Sequence, residues 1–230
     1  MNIIAYGFAL LVSLIMPILI SIFLIVRSKI YFKPIIIGVI TFLIFQVFTR
    51  IYIIQVILPT QVWYILFTYQ YPVMYAFLLS LTAGLFEEIG RYIMMKFILK
   101  KMELKHALAF GIGHGGIEAM LFVGFALIMV NPATIDTQNL MMSGLERLSA
   151  IIFHCGFSVL VYQMVFKGKK YHLILSITLH TLVNFVSVIL MMNGVNLWIL
   201  EGLLLMFALI MLYFIKTQWR YEYETNITHS

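Results

Sequence analysis

Apolar runs of about 20 residues follow one another along almost the whole chain, each long enough to cross a hydrocarbon core of roughly 30 Å as a helix. Seven such spans are expected: Ile3 to Val26, Ile35 to Leu58, Val73 to Leu99, His106 to Val130, Leu145 to Phe166, His172 to Met192 and Leu197 to Ile215. The chain is 63% hydrophobic and only 10% charged, a mixture from which no water-facing surface can be built. The expected fold is therefore an all-α polytopic transmembrane bundle, with one membrane domain over residues 1–216 and a short tail over 217–230. The first run has no basic stretch before it and exceeds a secretory h-region, so it reads as a retained span. A single cysteine, Cys155, excludes an intrachain disulfide framework. The aromatic, uncharged stretch from Gln61 to Tyr71 is short for a span and reads as interfacial.

The formal net charge of +6 is explained by where the bases fall. Arg27, Lys29 and Lys33 mark the first connection, and Lys96, Lys100, Lys101 and Lys105 surround the third. Lys167, Lys169 and Lys170 occupy the fifth, and Lys216 and Arg220 the tail. The alternate connections carry no base, and the fourth has Asp136 alone. The positive-inside rule then puts the amino terminus outside and the carboxyl terminus in the cytoplasm. Twelve of the fifteen basic residues serve topology, which removes the argument for a nucleic-acid partner. The expected setting is a bilayer.

Against this background the ionisable residues inside the spans stand out, because each costs at least about 2.5 kcal/mol near the bilayer centre. They are Arg50, Glu87, Glu88, Arg91, His114, Glu118, His154 and His180, whereas Glu146, Arg147 and Glu201 fall near outer span ends. Counted from the cytoplasmic ends of their spans, Glu87 and His154 lie roughly 18 Å deep and His114 and His180 roughly 12 Å. That difference is about one helical turn. Four helices thus bring ionisable groups to one layer. Side chains four apart share a helical face, which pairs His114 with Glu118 and His180 with Asn184. Glu87 and Glu88 point about 100° apart, so one can face a cavity while the other pairs with Arg91. The glycines of Gly111-Ile-Gly-His-Gly-Gly116 permit either close helix contact or a local break. Glu118 and Arg50 read as structural groups, each with a partner in the bundle.

A carboxylate and an imidazole in a poorly solvated site can activate water for attack on a carbonyl, and an Asn or second His can hold the oxyanion. Placed in a membrane, such a site implies hydrolysis of a membrane-embedded or membrane-proximal peptide. Three motifs in order, Glu87-Glu88-Ile-Gly-Arg91, Phe110-Gly-Ile-Gly-His114 and His180-Thr-Leu-Val-Asn184, also resemble those of the CAAX-protease and bacteriocin-processing superfamily of intramembrane proteases. More narrowly the chain is similar to the YhfC branch, and Arg91, three residues after Glu88, is closer to PrsW-type spacing. The resemblance implies that Glu87 and His114 activate water, with Glu88 completing the pair of acids and Arg91 supporting it. It also implies that His180 and Asn184 form the oxyanion site, with His154 a further member.

Three histidines and a glutamate at one depth, His114, His154, His180 and Glu87, would make a zinc site with an open position. The absence of a local His-Glu-x-x-His pattern argues the other way. Competing functions are less well served: a haem carrier leaves the acids unexplained, a proton-coupled transporter should show paired broken helices in related halves, and a retinal-type receptor needs a mid-span Lys. A protease-like scaffold that binds without cleaving shares the same residues.

Overall fold

The computed structural model describes residues 3–131 and 135–228, and these are almost entirely helical. Seven of the helices are long and apolar enough to cross a membrane: Ile3–Arg27, Lys29–Thr60, Pro72–Leu99, Leu104–Met129, Thr137–Lys167, Tyr171–Met192 and Leu197–Glu224. They are the first to seventh spans below. Large apolar side chains such as Phe23, Phe48, Phe97, Ile174 and Leu209 lie exposed on them. A bilayer supplies the environment that such surfaces require. The expected interfacial stretch is a short helix, Val62–Gln70, with Trp63 and Tyr69 exposed. It is tied back to the third span by the Tyr64 and Tyr75 hydroxyls, 3.0 Å apart.

Three helix ends extend past the apolar runs, because backbone hydrogen bonding continues after hydrophobicity stops. The second begins at Lys29, and the seventh runs on as helix to Thr228 through most of what reads as a tail. The fifth begins at Thr137, eight residues before Leu145. Its start is set by Asp136, whose Oδ2 accepts from the Gln138 and Asn139 amides at 3.0 and 3.4 Å and caps the first turn.

The chain divides into two compact units, one of Met1–Val39, Lys101–Val159 and Leu197–Ser230, the other of Ile40–Lys100 and Leu160–Asn196. In the first unit the fourth span starts at a reciprocal cap between Glu103 and His106, with the Glu103 amide donating to His106 Nδ1 at 3.0 Å. A hydrogen bond from Lys105 holds the Glu103 carboxyl below its ordinary range. The helix then continues unbroken through the glycine-rich stretch to Ala119. Its glycines therefore serve contact and not a break. A Cβ at Gly113 would overlap the Ile35 carbonyl oxygen, and one at Gly115 would lie 3.0 Å from His154 Cβ. Ala5, Ala9, Leu127 and Leu140 form a small apolar core, and Leu200, Leu204, Ala208 and Met211 bury one face of the seventh span.

In the second unit the third and sixth spans pack along a stripe of small residues, Ala76, Ser80, Ala83 and Gly84, as membrane helices do when backbones must approach. At Gly84 an added Cβ would stand 2.7 Å from Thr181 Oγ1 and 2.9 Å from the Ile177 carbonyl oxygen. The second span contributes a π-helical stretch, Phe42–Ile51, which buries Gln46 and Arg50. Arg50 donates to the Leu79 carbonyl at 2.6 Å, to Thr82 Oγ1 at 3.1 Å and to Gln46 Oε1 at 3.2 Å. This is the structural role expected of it.

Gly113→Ala should destabilise the protein by about 1–3 kcal/mol, since a carbonyl oxygen cannot yield as a flexible side chain can. Gly202→Ala, where a Cβ meets nothing within 4 Å, should be neutral or mildly stabilising. Thermal unfolding of both variants in detergent measures the difference.

Candidate active site

The first unit holds a buried group of His114, Glu118 and His154. His114 and Glu118 project from successive turns of the fourth span, and His154 reaches them from the fifth, where Gly115 lets the backbones come close. One ligand atom from each of the three lies within 4.8 Å of those of the other two. His154 Nε2 is 2.7 Å from Glu118 Oε2, and the His114 and His154 ring centres are 4.7 Å apart. The Phe110 ring also stacks against His114, with centres 6.2 Å apart. The second oxygen of Glu118 is also held: Arg147 Nη1 donates to Oε1 at 2.9 Å. Arg147 in turn forks onto Glu146, with Nε donating to Oε2 at 2.7 Å and Nη2 to Oε1.

The second unit holds a polar group built on the third and sixth spans. Glu88 is fully enclosed, an expensive position for a carboxylate, and its oxygens are matched one by one. Ser176 Oγ donates to Oε2 at 2.6 Å, His180 Nδ1 is 2.9 Å from Oε1, and Arg91 Nη2 is 3.6 Å from Oε1. With Nδ1 engaged, the other imidazole nitrogen of His180 is turned toward Glu87, at 3.9 Å from its Oε1. The adjacent acids thus divide as their angular separation suggests. Glu88 is the internal partner of His180 and Arg91, and Glu87 is the acid beyond the imidazole. Asn184 is half-buried one turn past His180.

Every candidate site residue therefore belongs to one of these polar groups or lies beside it. Glu118, read as structural, offers an oxygen to the same cluster as the two histidines. Arg147 and Glu201, placed by the sequence near outer span ends, are 7% and 6% exposed. The early start of the fifth helix is the reason for Arg147, which stands ten residues inside it. Ser176 was not singled out. Ser176 lies four residues before His180 on the same face, a spacing that could have revealed it.

Helices of membrane-crossing length with histidines and carboxylates buried within them define an integral membrane protein with a polar interior. The family model described as YhfC intramembrane metalloprotease matches residues 12–140 and 127–204, and the chain belongs to that family. It is 32% identical over 192 residues to the uncharacterized membrane protein YhfC of Bacillus subtilis (strain 168), covering 68% of this chain and 72% of the relative. No solved structure matches.

Ser176→Ala should cost about 1–3 kcal/mol by leaving a buried carboxylate oxygen short of a donor. Ser187→Ala on the same span should cost only a few tenths, because its hydroxyl donates to the Val183 carbonyl of its own helix. Unfolding midpoints of the two variants test the assignment of Glu88 as an internal partner.

Proposed function

We propose that this protein is an intramembrane endopeptidase that hydrolyses peptide bonds in or near the bilayer, in the cytoplasmic half of a bacterial cytoplasmic membrane. The observation that carries this reading is the convergence of His114, Glu118 and His154 to within 4.8 Å, inside helices that are otherwise apolar. The family description supports it.

The residues fit a divalent metal. Two imidazoles and one carboxylate are a recurring catalytic zinc set, leaving a position for water or substrate. Charge points the same way, because Glu118 and Glu146 outnumber the one guanidinium they share, Arg147, leaving an excess of one negative charge when the histidines are neutral. His114, Glu118 and His154 would hold the ion, which when bound would polarise the scissile carbonyl and make water a better nucleophile. In this reading Glu118 joins His114 and His154 in place of His180, and Glu87 is given a proton-transfer role.

The chain's own groups supply the remaining functions. Glu87 is proposed to take a proton from the attacking water and return it to the leaving amine, the role of a carboxylate in poorly solvated surroundings. His180 is proposed to act as an imidazolium, its Nδ1–H donating to Glu88 and its Nε2–H steadying the developing oxyanion together with Asn184. Arg91, 3.6 Å from Glu88 Oε1, helps to fix the carboxylate against which His180 is oriented. Water exclusion by the spans strengthens each of these interactions. The substrate is a peptide segment held in the same membrane.

Glu87→Gln and His154→Ala, each shown to remain folded, should cleave membrane-tethered peptides at least about 100-fold more slowly than the parent protein. A strong chelator should abolish parental cleavage. Undiminished turnover in both variants would contradict the proposal.

A further inference from the structure

Arg147 is a base that the proposed chemistry does not use, and its surroundings specify its position completely. Two of its nitrogens are committed to Glu146, in the parallel fork that guanidinium and carboxylate form best. The face of the guanidinium lies over the Phe122 ring, 5.9 Å from its centre. What remains is Nη1, directed at Glu118 Oε1 at 2.9 Å. Glu118 then has a single oxygen, Oε2, on the side of the histidines, 2.7 Å from His154 Nε2. Unrestrained, a carboxylate can rotate, present either oxygen or chelate through both. Here one oxygen is already taken.

We propose that Arg147, itself fixed by Glu146 and Phe122, is a positioning residue that holds Glu118 as a one-oxygen ligand in the His114–Glu118–His154 cluster. This rests on the metal-centre reading above and deepens it. The arrangement is the carboxylate counterpart of the outer-shell hydrogen bonds that orient ligating histidines, whose loss typically costs 10–100-fold in metal affinity. It also explains why a guanidinium stands there. A lysine could neutralise Glu118 but could not hold Glu146 through two bonds and Glu118 through a third at fixed angles.

The test is zinc affinity, by competition with a chromophoric chelator, in purified full-length protein carrying R147M, R147K or E146Q, with metal-free unfolding midpoints measured alongside. R147M should bind zinc 10–100-fold more weakly than the parent. R147K should recover part of that loss, and E146Q should weaken binding less than R147M does. The order of affinities should differ from the order of metal-free midpoints, which a merely structural role would not produce. Parental affinity in R147M would overturn the inference. If R147M does not fold, parental affinity in both R147K and E146Q would do so. Absence of zinc binding by the parent protein itself would overturn the metal-centre reading and this inference with it, whereas parental binding with indifferent variants would overturn the inference alone.

Discussion

An ionised side chain in a bilayer-length helix must bring its compensation with it, because neither lipid nor water is available to supply it. Most of what is distinctive in this protein follows from that constraint. Glu88 is enclosed without access to solvent, and Ser176, His180 and Arg91 are the groups that make its position tolerable. Glu118 is matched at one oxygen by Arg147 and at the other by His154. In both cases the compensating groups also set direction: an imidazole with one nitrogen occupied presents the other, and a carboxylate with one oxygen bonded presents the other. The requirement for charge balance thus produces a set of oriented donors and acceptors, which is what a catalytic centre needs.

Such short contacts need backbones close together, and the glycines and small residues supply that closeness. Gly84 lets the third and sixth spans approach until the Glu88 carboxylate can meet Ser176 and His180. Gly115 does the same for the fourth and fifth spans, at the level where His154 joins His114. Packing and chemistry are therefore coupled here. A side chain added at Gly84 would act on the Glu88 group through the backbone separation, and one at Gly115 would press on His154 itself.

The spans were legible in the sequence because apolar length and charge placement are one-dimensional signals. Their apolar cores match to within a few residues, and the division of labour between Glu87 and Glu88 followed from 100° of helical rotation. The helix ends were harder. Asp136 appeared only as a lone charge, and without its capping role the fifth helix seemed to begin near Leu145, which put Arg147 at a span end instead of inside the protein. Depth along a span also cannot say which way a side chain points around it. Depth alone therefore could not separate His180, whose Nδ1 meets Glu88, from His114, nor show that Glu118 Oε2 stands beside His154. Ser176, a neutral residue on an apolar helix, carried no signal beyond its spacing from His180.

Membership of a family described as an intramembrane metalloprotease agrees with a buried cluster of two imidazoles and a carboxylate. The most direct measurement is X-ray absorption at the zinc edge of the loaded full-length protein. A centre formed by His114, Glu118 and His154 predicts two imidazole nitrogens at about 2.0–2.1 Å and carboxylate or water oxygens at about 2.0–2.2 Å, in four-coordinate geometry. One imidazole should be lost in His154→Ala. A spectrum without imidazole scattering, or one unchanged by that substitution, would contradict the assignment of the metal centre.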